Sequence, residues 1–354
     1  MAFINPFIKK CLGIDIGAFS IKIIEISAFG KKIKLENYVQ FSIKNPDLTF
    51  FDKQSLSLLN EQAAEILTNL LKRSGIKEKR VALSLPDFSI FSISFSLPPI
   101  LYEELPHAIE FEAQHYIPLP LSEVTYDWQI IEKKELPPLK EVEFKILLMA
   151  VPTKVLWDYQ KMINLATLEL KGLEAEVFAL VRSSIPKNLK EKILCLIDLG
   201  WESSTINIIE KKNLKESYSF NISSKNLTEK LSSILKIDFK EAERLKKEYG
   251  LDPQNKEVSK ILIGEINAFI QEIEKICQTF TKNEKKEIND IILAGGSANL
   301  FGLKEYFEIK LKKNIYIADP FSKVSFPSIL EPRLKEIGAS FGVAMGVALM
   351  GLEI

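Results

Sequence analysis

One pattern occurs twice in this chain, and few folds accommodate it. Leu12-Gly-Ile-Asp-Ile-Gly17 turns into Ser20-Ile-Lys-Ile-Ile-Glu25, and Leu196-Ile-Asp-Leu-Gly200 turns into Ser203-Ser-Thr-Ile-Asn-Ile-Ile-Glu210. In each copy an apolar run carries an acid to its end, a glycine makes the turn, hydroxyls line it, and a second apolar run leads away. The copies are offset by 183 residues at Asp15 and Asp198 and by 185 at Glu25 and Glu210, so the second turn is expected to be two residues longer. A chain that repeats a strand-turn-strand unit at this distance is built from two related halves.

Two such hairpins facing each other form a clamp for an anion. Glycine has no Cβ and lets backbone N–H groups approach closely, at Gly17 and Gly200. The hydroxyls of Ser20, Ser203, Ser204 and Thr205 can donate further hydrogen bonds. A carboxylate beside phosphates is tolerable only with a divalent cation between them, and Mg²⁺, which keeps several waters and uses one or two carboxylates, fits Asp15 and Asp198. Strand alternation puts Lys22 on the same face as Ser20, within reach of a β or γ phosphate as a point charge. The plain alternative for Lys22 is a solvated strand lysine.

A third element completes the set. Ile291-Ile-Leu-Ala-Gly-Gly-Ser-Ala-Asn-Leu300 reads as a buried strand, a double glycine and a helix that starts near Ser297 and runs through Phe307. The helix start would aim free N–H groups and its positive end at Gly295 and Gly296, where backbone passes a nucleotide that side chains would obstruct. Taken alone, the segment is also an ordinary strand-to-helix connection with Ser297 as N-cap.

Composition limits the rest. With 354 residues the chain is long enough for two or three domains, and 47 basic against 47 acidic side chains leave no net field to draw it to nucleic acid or anionic lipid. Cys11, Cys195 and Cys277 lack metal-ligand spacing, and with only His107 and His115 for histidines neither a zinc site nor a disulfide framework is expected, which suits a reducing cytoplasm. The start of the chain has no basic stretch before a long apolar core; Phe3, Ile4, Phe7 and Ile8 are expected to pack on the body rather than touch a membrane. Ile337 to Leu352 carries no charge, but its 16 residues fall short of the roughly 20 needed to cross a bilayer, and its small residues predict a tightly packed core helix.

Periodicity gives the organisation. A meander of Leu12–Ile16, Ile21–Ile26 and Ile33–Ile43 precedes a helix at about 54–74 that ends at Gly75. Residues 81–167 read as an insertion of order β, β, α, β, β, α, with helices at Tyr102–Tyr116 and Thr153–Leu165 and strands at Val124–Ile131 and Val142–Val151. Glu169 to Arg182 reads as a buried helix. Helices at Leu227–Leu235, Lys240–Tyr249 and about 258–282 form a second insert. The expected parts are 1–80 and 168–190 of a first domain, 191–220 and 289–336 of a second, inserts at 81–167 and 221–288, and a closing helix at 337–354 returning to the first domain.

The order of Asp-x-Gly hairpin, insertion, second Asp-x-Gly hairpin, helical insert and Ala-Gly-Gly-Ser is similar to that of the actin, heat-shock chaperone and sugar kinase superfamily. Within it, Phe111-Glu-Ala-Gln-His-Tyr-Ile-Pro-Leu-Pro120, Tyr126-Asp-Trp-Gln129 and Ala150-Val-Pro152 resemble the PilM family of type IV pilus proteins and its cell-division relative FtsA. The resemblance implies an α/β actin-like ATPase fold: two RNase H-like domains around a nucleotide cleft, plus an inserted subdomain of the PilM and FtsA type. It implies ATP and Mg²⁺ as cofactors, with Asp15 and Asp198 holding the metal through water and Gly17, Ser20, Gly200, Ser203 and Thr205 cradling phosphates. Glu176, with Glu174 beside it, falls where the family orients the attacking water. Glu243, Lys246 and Lys247 fall on the helix that meets the ribose and adenine. Ser223-Ser-Lys-Asn226 stands where the family usually has a glycine-rich turn, a departure that bears on contacts requiring glycine.

By the same resemblance the protein is a cytoplasmic scaffold, at most a slow ATPase. It would sit at the inner membrane through its partners, without inserting into it or binding nucleic acid. It would hold the N-terminal peptide of PilN in a groove between first domain and insertion, link the pilus complex to its motor ATPase for twitching motility, and be open to self-association. An FtsA-like division protein is the alternative, and it calls for a basic amphipathic tail that the residues up to Ile354 do not provide. A sugar or acetate kinase would need an acceptor pocket with a catalytic acid in the insertion, where Asp127 is the strand candidate.

Overall fold

A computed structural model describes residues 8–43, 50–51, 58, 60–135 and 141–353. Part of the helix expected from 54 therefore lies outside the described residues, as do the apolar positions 3, 4 and 7.

The duplication is visible in the sheets. In the first half, β1 (Ile8–Ile16), β2 (Ser20–Phe29) and β3 (Lys32–Ser42) form an antiparallel meander, followed by α1 (Asn60–Ser74) and β4 (Arg80–Leu85). After an insertion of β5 (Phe91–Ile100), α2 (Leu105–Tyr116), β6 (Val124–Glu135), β7 (Val142–Pro152) and α3 (Thr153–Leu165), the domain resumes with β8 (Glu169–Ala175) and α4 (Glu176–Ser184). The second half repeats the scheme with β9 (Ile193–Leu199), β10 (Ser204–Glu210) and β11 (Asn213–Phe220). A helical insert follows, of α5 (Ser224–Leu235), α6 (Phe239–Tyr249) and α7 (Lys256–Glu284), then β12 (Asp290–Ala294), α8 (Leu303–Leu311) and β13 (Asn314–Ile317). The chain closes with α9 (Glu331–Ile337) and α10 (Gly342–Glu353).

The two sheets have one topology. The first runs β3-β2-β1-β4-β8 and the second β11-β10-β9-β12-β13, with the meander antiparallel and the last two strands parallel to the first. Because β1 and β9 are central, their C-terminal ends, where Asp15 and Asp198 stand, open on the same kind of crevice; such strand ends are where α/β sheets assemble sites.

Two expectations are corrected here. The strand thought to open the insertion lies in the first sheet between β1 and β8, so the inserted sheet has three strands, in the order β5-β7-β6. The segment from Glu169 to Arg182 is a strand and then a helix: β8 pairs in parallel with β4 up to Ala175, and the helix begins only at Glu176. Pairing to a neighbour already in place overrides the weak strand propensity of that segment.

The uncharged closing segment is core, as its small residues predicted. The stretch Ser328–Glu353 is long and apolar enough by composition to cross a membrane, yet α10 packs against α4, β1 and β4. A Cβ on Gly346 would stand 2.0 Å from the Ala179 carbonyl oxygen, and one on Gly13 would stand 2.0 Å from that of Ala344. Only glycine permits these backbones to meet. The contact buries Val343, Met345 and Val347 fully or nearly so, each contributing roughly 1.5–3 kcal/mol.

Candidate functional site

The two hairpins close in the same register. Asp15 pairs with Lys22 and Ile16 with Ile21; Asp198 pairs with Thr205 and Leu199 with Ser204. The turns at 17–20 and 200–203 are thus equal in length, which corrects the expectation of a longer second one. Glu25 and Glu210 are not equivalent positions: Lys22 and Thr205 are.

Four carboxylates converge between these turns. Asp15 is buried, its Oδ2 3.1 Å from Lys22 Nζ and its Oδ1 accepting from Ser84 Oγ at 3.2 Å. Glu176, the first residue of α4, accepts at Oε2 from the backbone N–H of Asp87 at 3.3 Å. Burial, reinforced by Asp87, Asp15 and Asp198, holds the Glu176 carboxyl well above its ordinary pKa. Burial and then Asp15 push Asp198 up to about 6 against the pull of Lys22. Burial and Asp198 push Asp87 up to about 7, although the Thr205 hydroxyl favours its charged form. These shifts share one physical origin: negative charges gathered in a half-buried cleft with too few cations among them.

Asp87 was not singled out by any motif. It follows Pro86 in a single 3-10 turn at the end of β4, and the available signal was positional: an acid just beyond the C-terminal end of a strand parallel to β1.

The double glycine divides into two roles. Gly295 has φ +88°, and a Cβ there would stand 2.3 Å from Asp198 Oδ1 and 2.6 Å from the Leu199 carbonyl oxygen. It is the point at which β12 passes against the Asp198 turn. Gly296 has nothing within 4 Å of where its Cβ would be, so it faces open space. Ser297 does not cap a helix: turns occupy 296–299 and 301–302, and α8 starts at Leu303 after Gly302, whose φ is +75°. The Ser297 N–H instead donates to the Leu199 carbonyl at 3.4 Å.

On α6, Lys246 is buried at 2% exposure and donates to the Ser224 carbonyl at 2.9 Å and to Ser224 Oγ and Thr228 Oγ1 at 2.7 Å each. Its Nζ lies 2.7 Å from Glu243 Oε2, and Lys247 reaches Glu243 Oε1 at 3.0 Å from an exposed position. Burial works to raise the Glu243 carboxyl, but Lys246 and Thr228 outweigh it and hold it low. Lys246 therefore ties α6 to α5 rather than standing free. At the departure from the glycine-rich turn, Ser223 caps α5 by accepting from the Asn226 N–H at 3.3 Å, and the N–H groups of Ser224 and Lys225 bond the carbonyls of Gly200 and Trp201.

A second concavity of about 640 Å³ lies away from the acids, where the insertion meets the first domain. Asp127 and Trp128 of β6, Met149 of β7 and Phe178 and Arg182 of α4 line it, with Glu353, Lys190 and, from the second domain, Lys212. Arg182 is held by Glu174, Nη2 to Oε1 at 2.7 Å, which engages Glu174 away from the acid cluster.

The profile of the family described as type IV pilus assembly protein PilM matches residues 13–352. A chain of the solved PilM-PilN type IV pilus biogenesis complex superposes with a TM-score of 0.81 at 21% identity, covering 97% of this chain and 99% of that one. The ethanolamine utilization protein EutJ from Carboxydothermus hydrogenoformans gives 0.59 at 16% identity, over 96% and 89%. MreB5 of Spiroplasma citri bound to AMPPNP gives 0.53 at 11% identity, over 97% and 96%. The fold is the two-domain actin-like ATPase fold.

Proposed function

The chain belongs to the PilM family of type IV pilus assembly proteins, and from that premise we propose that it is an ATP-binding scaffold whose second groove takes the N-terminal peptide of PilN. The observation that carries the nucleotide half is the convergence of Asp15, Asp87, Glu176 and Asp198 between two matched turns, with Lys22 bonded to Asp15 and felt by Asp198. Uncompensated carboxylates in a cleft call for a divalent cation and its anionic ligand.

The residues fit such a group in one particular way. Among the described residues no three metal-ligating side chains converge closely enough to hold an ion directly. Asp15 and Asp198 would hold Mg²⁺ through water, completed by phosphate oxygens, and the ion would neutralise the triphosphate. Gly17, Ser20, Gly200, Ser203 and Thr205 line the two turns, and Lys22 supplies a cation. Glu176, at the first turn of α4, would orient water, its carboxyl raised above the ordinary range by burial and by Asp87, Asp15 and Asp198.

The peptide half rests on the groove and on kinship with the PilM of the solved PilM-PilN complex. Apolar Leu147, Met149 and Phe178 offer seats for alternate side chains of an extended segment, with charges at the rim. The groove touches both domains, so a peptide that prefers the closed form changes nucleotide affinity, and nucleotide changes peptide affinity by the same factor. The protein would then lie on the cytoplasmic side of the inner membrane, held there by this partner and passing its state to the motor. Titration of labelled ATP with and without a PilN-derived peptide tests the reading. A shift in Kd supports the scaffold; tight ATP binding with no peptide capture in either nucleotide state removes its PilN half.

A further inference from the structure

An aromatic contact joins the two turns. The rings of Phe19 and Trp201 stack with centroids 4.0 Å apart and planes 16° from parallel. Phe19 belongs to the first turn and Trp201 to the second, so the contact exists only while the domains stand at this separation. Each ring is fastened to its own side by backbone: the Phe19 carbonyl accepts from the Ile43 N–H at 2.9 Å at the end of β3, and the Trp201 carbonyl accepts from the Lys225 N–H at 3.1 Å at the start of α5.

Trp201 is also held on its far side. Phe239 of α6 meets it edge to face at 5.9 Å and 70°, and the buried ammonium of Lys246 lies 5.6 Å from its ring centroid. Stacking, edge-to-face contact and a desolvated cation each favour one ring position. One line of contacts thus runs from the first domain, through the second domain's turn, into the helical insert.

We propose that Phe19 and Trp201 are positioning residues of the nucleotide site: their stack sets the distance between the two phosphate-binding turns, and Lys246 serves it by anchoring Trp201 instead of reaching the nucleoside. This rests on the nucleotide reading above. A clamp whose jaws are held at working distance loses less freedom when it closes on its ligand. The stack joins the two turns that would hold the polyphosphate, so its loss should show in release as well as in affinity.

Replacing Trp128 and Trp157 by Phe leaves Trp201 as the reporter, since the chain has three tryptophans. In that background MgATP should change Trp201 emission, and Phe19→Ala should abolish the change, speed release of a fluorescent ATP analogue and weaken MgATP binding about tenfold. Phe19→Tyr, which keeps a ring to stack, should restore the parent behaviour, an outcome a merely destabilised fold would not give. Parent-like release and affinity in Phe19→Ala, with binding intact, overturn this inference alone. Absence of MgATP binding in the unaltered protein overturns the nucleotide reading and this inference together.

Discussion

Lys22 Nζ sits 3.1 Å from Asp15 Oδ2 at a side-chain exposure of 13%, and its charge also reaches Asp198 across the cleft. Register places it opposite Asp15 on the neighbouring strand. A pair of this kind, partly desolvated and surrounded by further acids, stabilises less through its own attraction than by preventing an unpaired buried carboxylate. Lys22→Ala should therefore weaken MgATP binding by about tenfold, near 1.4 kcal/mol, as read by calorimetry. Unchanged affinity would show that the lysine serves only its strand.

The acid cluster makes stability depend on pH in a defined direction. An unfolded aspartate titrates at about 3.9, and in the folded protein Asp87 is pushed up to about 7. Between those values the folded state binds more protons, so stability falls as pH rises through that window. Thermal unfolding without nucleotide or metal should show the unaltered protein losing ground to Asp87→Asn between pH 5 and pH 7.5, with the two converging near pH 4. Parallel curves would contradict the placement of Asp87 among like charges.

Much of this was legible in the residues, and the failures have physical causes. The hairpins could be read because Asp-x-Gly flanked by apolar runs satisfies local turn chemistry and global pairing at once. The turn length was misread because Glu25 and Glu210 look alike in sequence, whereas Glu25 lies beside Lys10 and Glu210 bonds Lys215 and Lys286. Strand β8 was hidden because Glu-Leu-Lys-Gly-Leu-Glu-Ala has no β-branched residue; it exists because β4 offers an open edge. Asp87 was hidden because one acid after a proline is an ordinary turn. Lys246 does fall within a helix, as its periodicity indicates, but that its side chain points into the fold depends on Ser224 and Thr228 of another helix.

The double glycine separates into two experiments. Gly295→Val forces a side chain into Asp198 and Leu199 at a left-handed φ, so it should lower the unfolding temperature markedly. Gly296→Val meets nothing in the protein; it should leave unfolding unchanged and reduce ATP affinity at least tenfold. Equal affinity for Gly296→Val and the parent would mean that no nucleotide passes there.

At the second groove, Phe178→Ala removes the largest apolar side chain on the groove face. Capture of a PilN N-terminal peptide should fall by roughly tenfold or more, as expected for a buried aromatic anchor, while ATP binding in the absence of peptide stays at the parent level. Undiminished capture would move the peptide to another surface.

Calorimetric titration of ATP into the protein, with Mg²⁺ and with a chelator, alongside Asp15→Ala and Asp198→Ala, bears most directly on the clamp. The account predicts Mg²⁺-dependent binding at one site, lost in both variants; metal-free Asp198→Ala should unfold at or above the parent because it removes one crowded negative charge, whereas Asp15→Ala also strips Lys22 of its partner and should not gain. Retained Mg²⁺-dependent binding in either variant would contradict it.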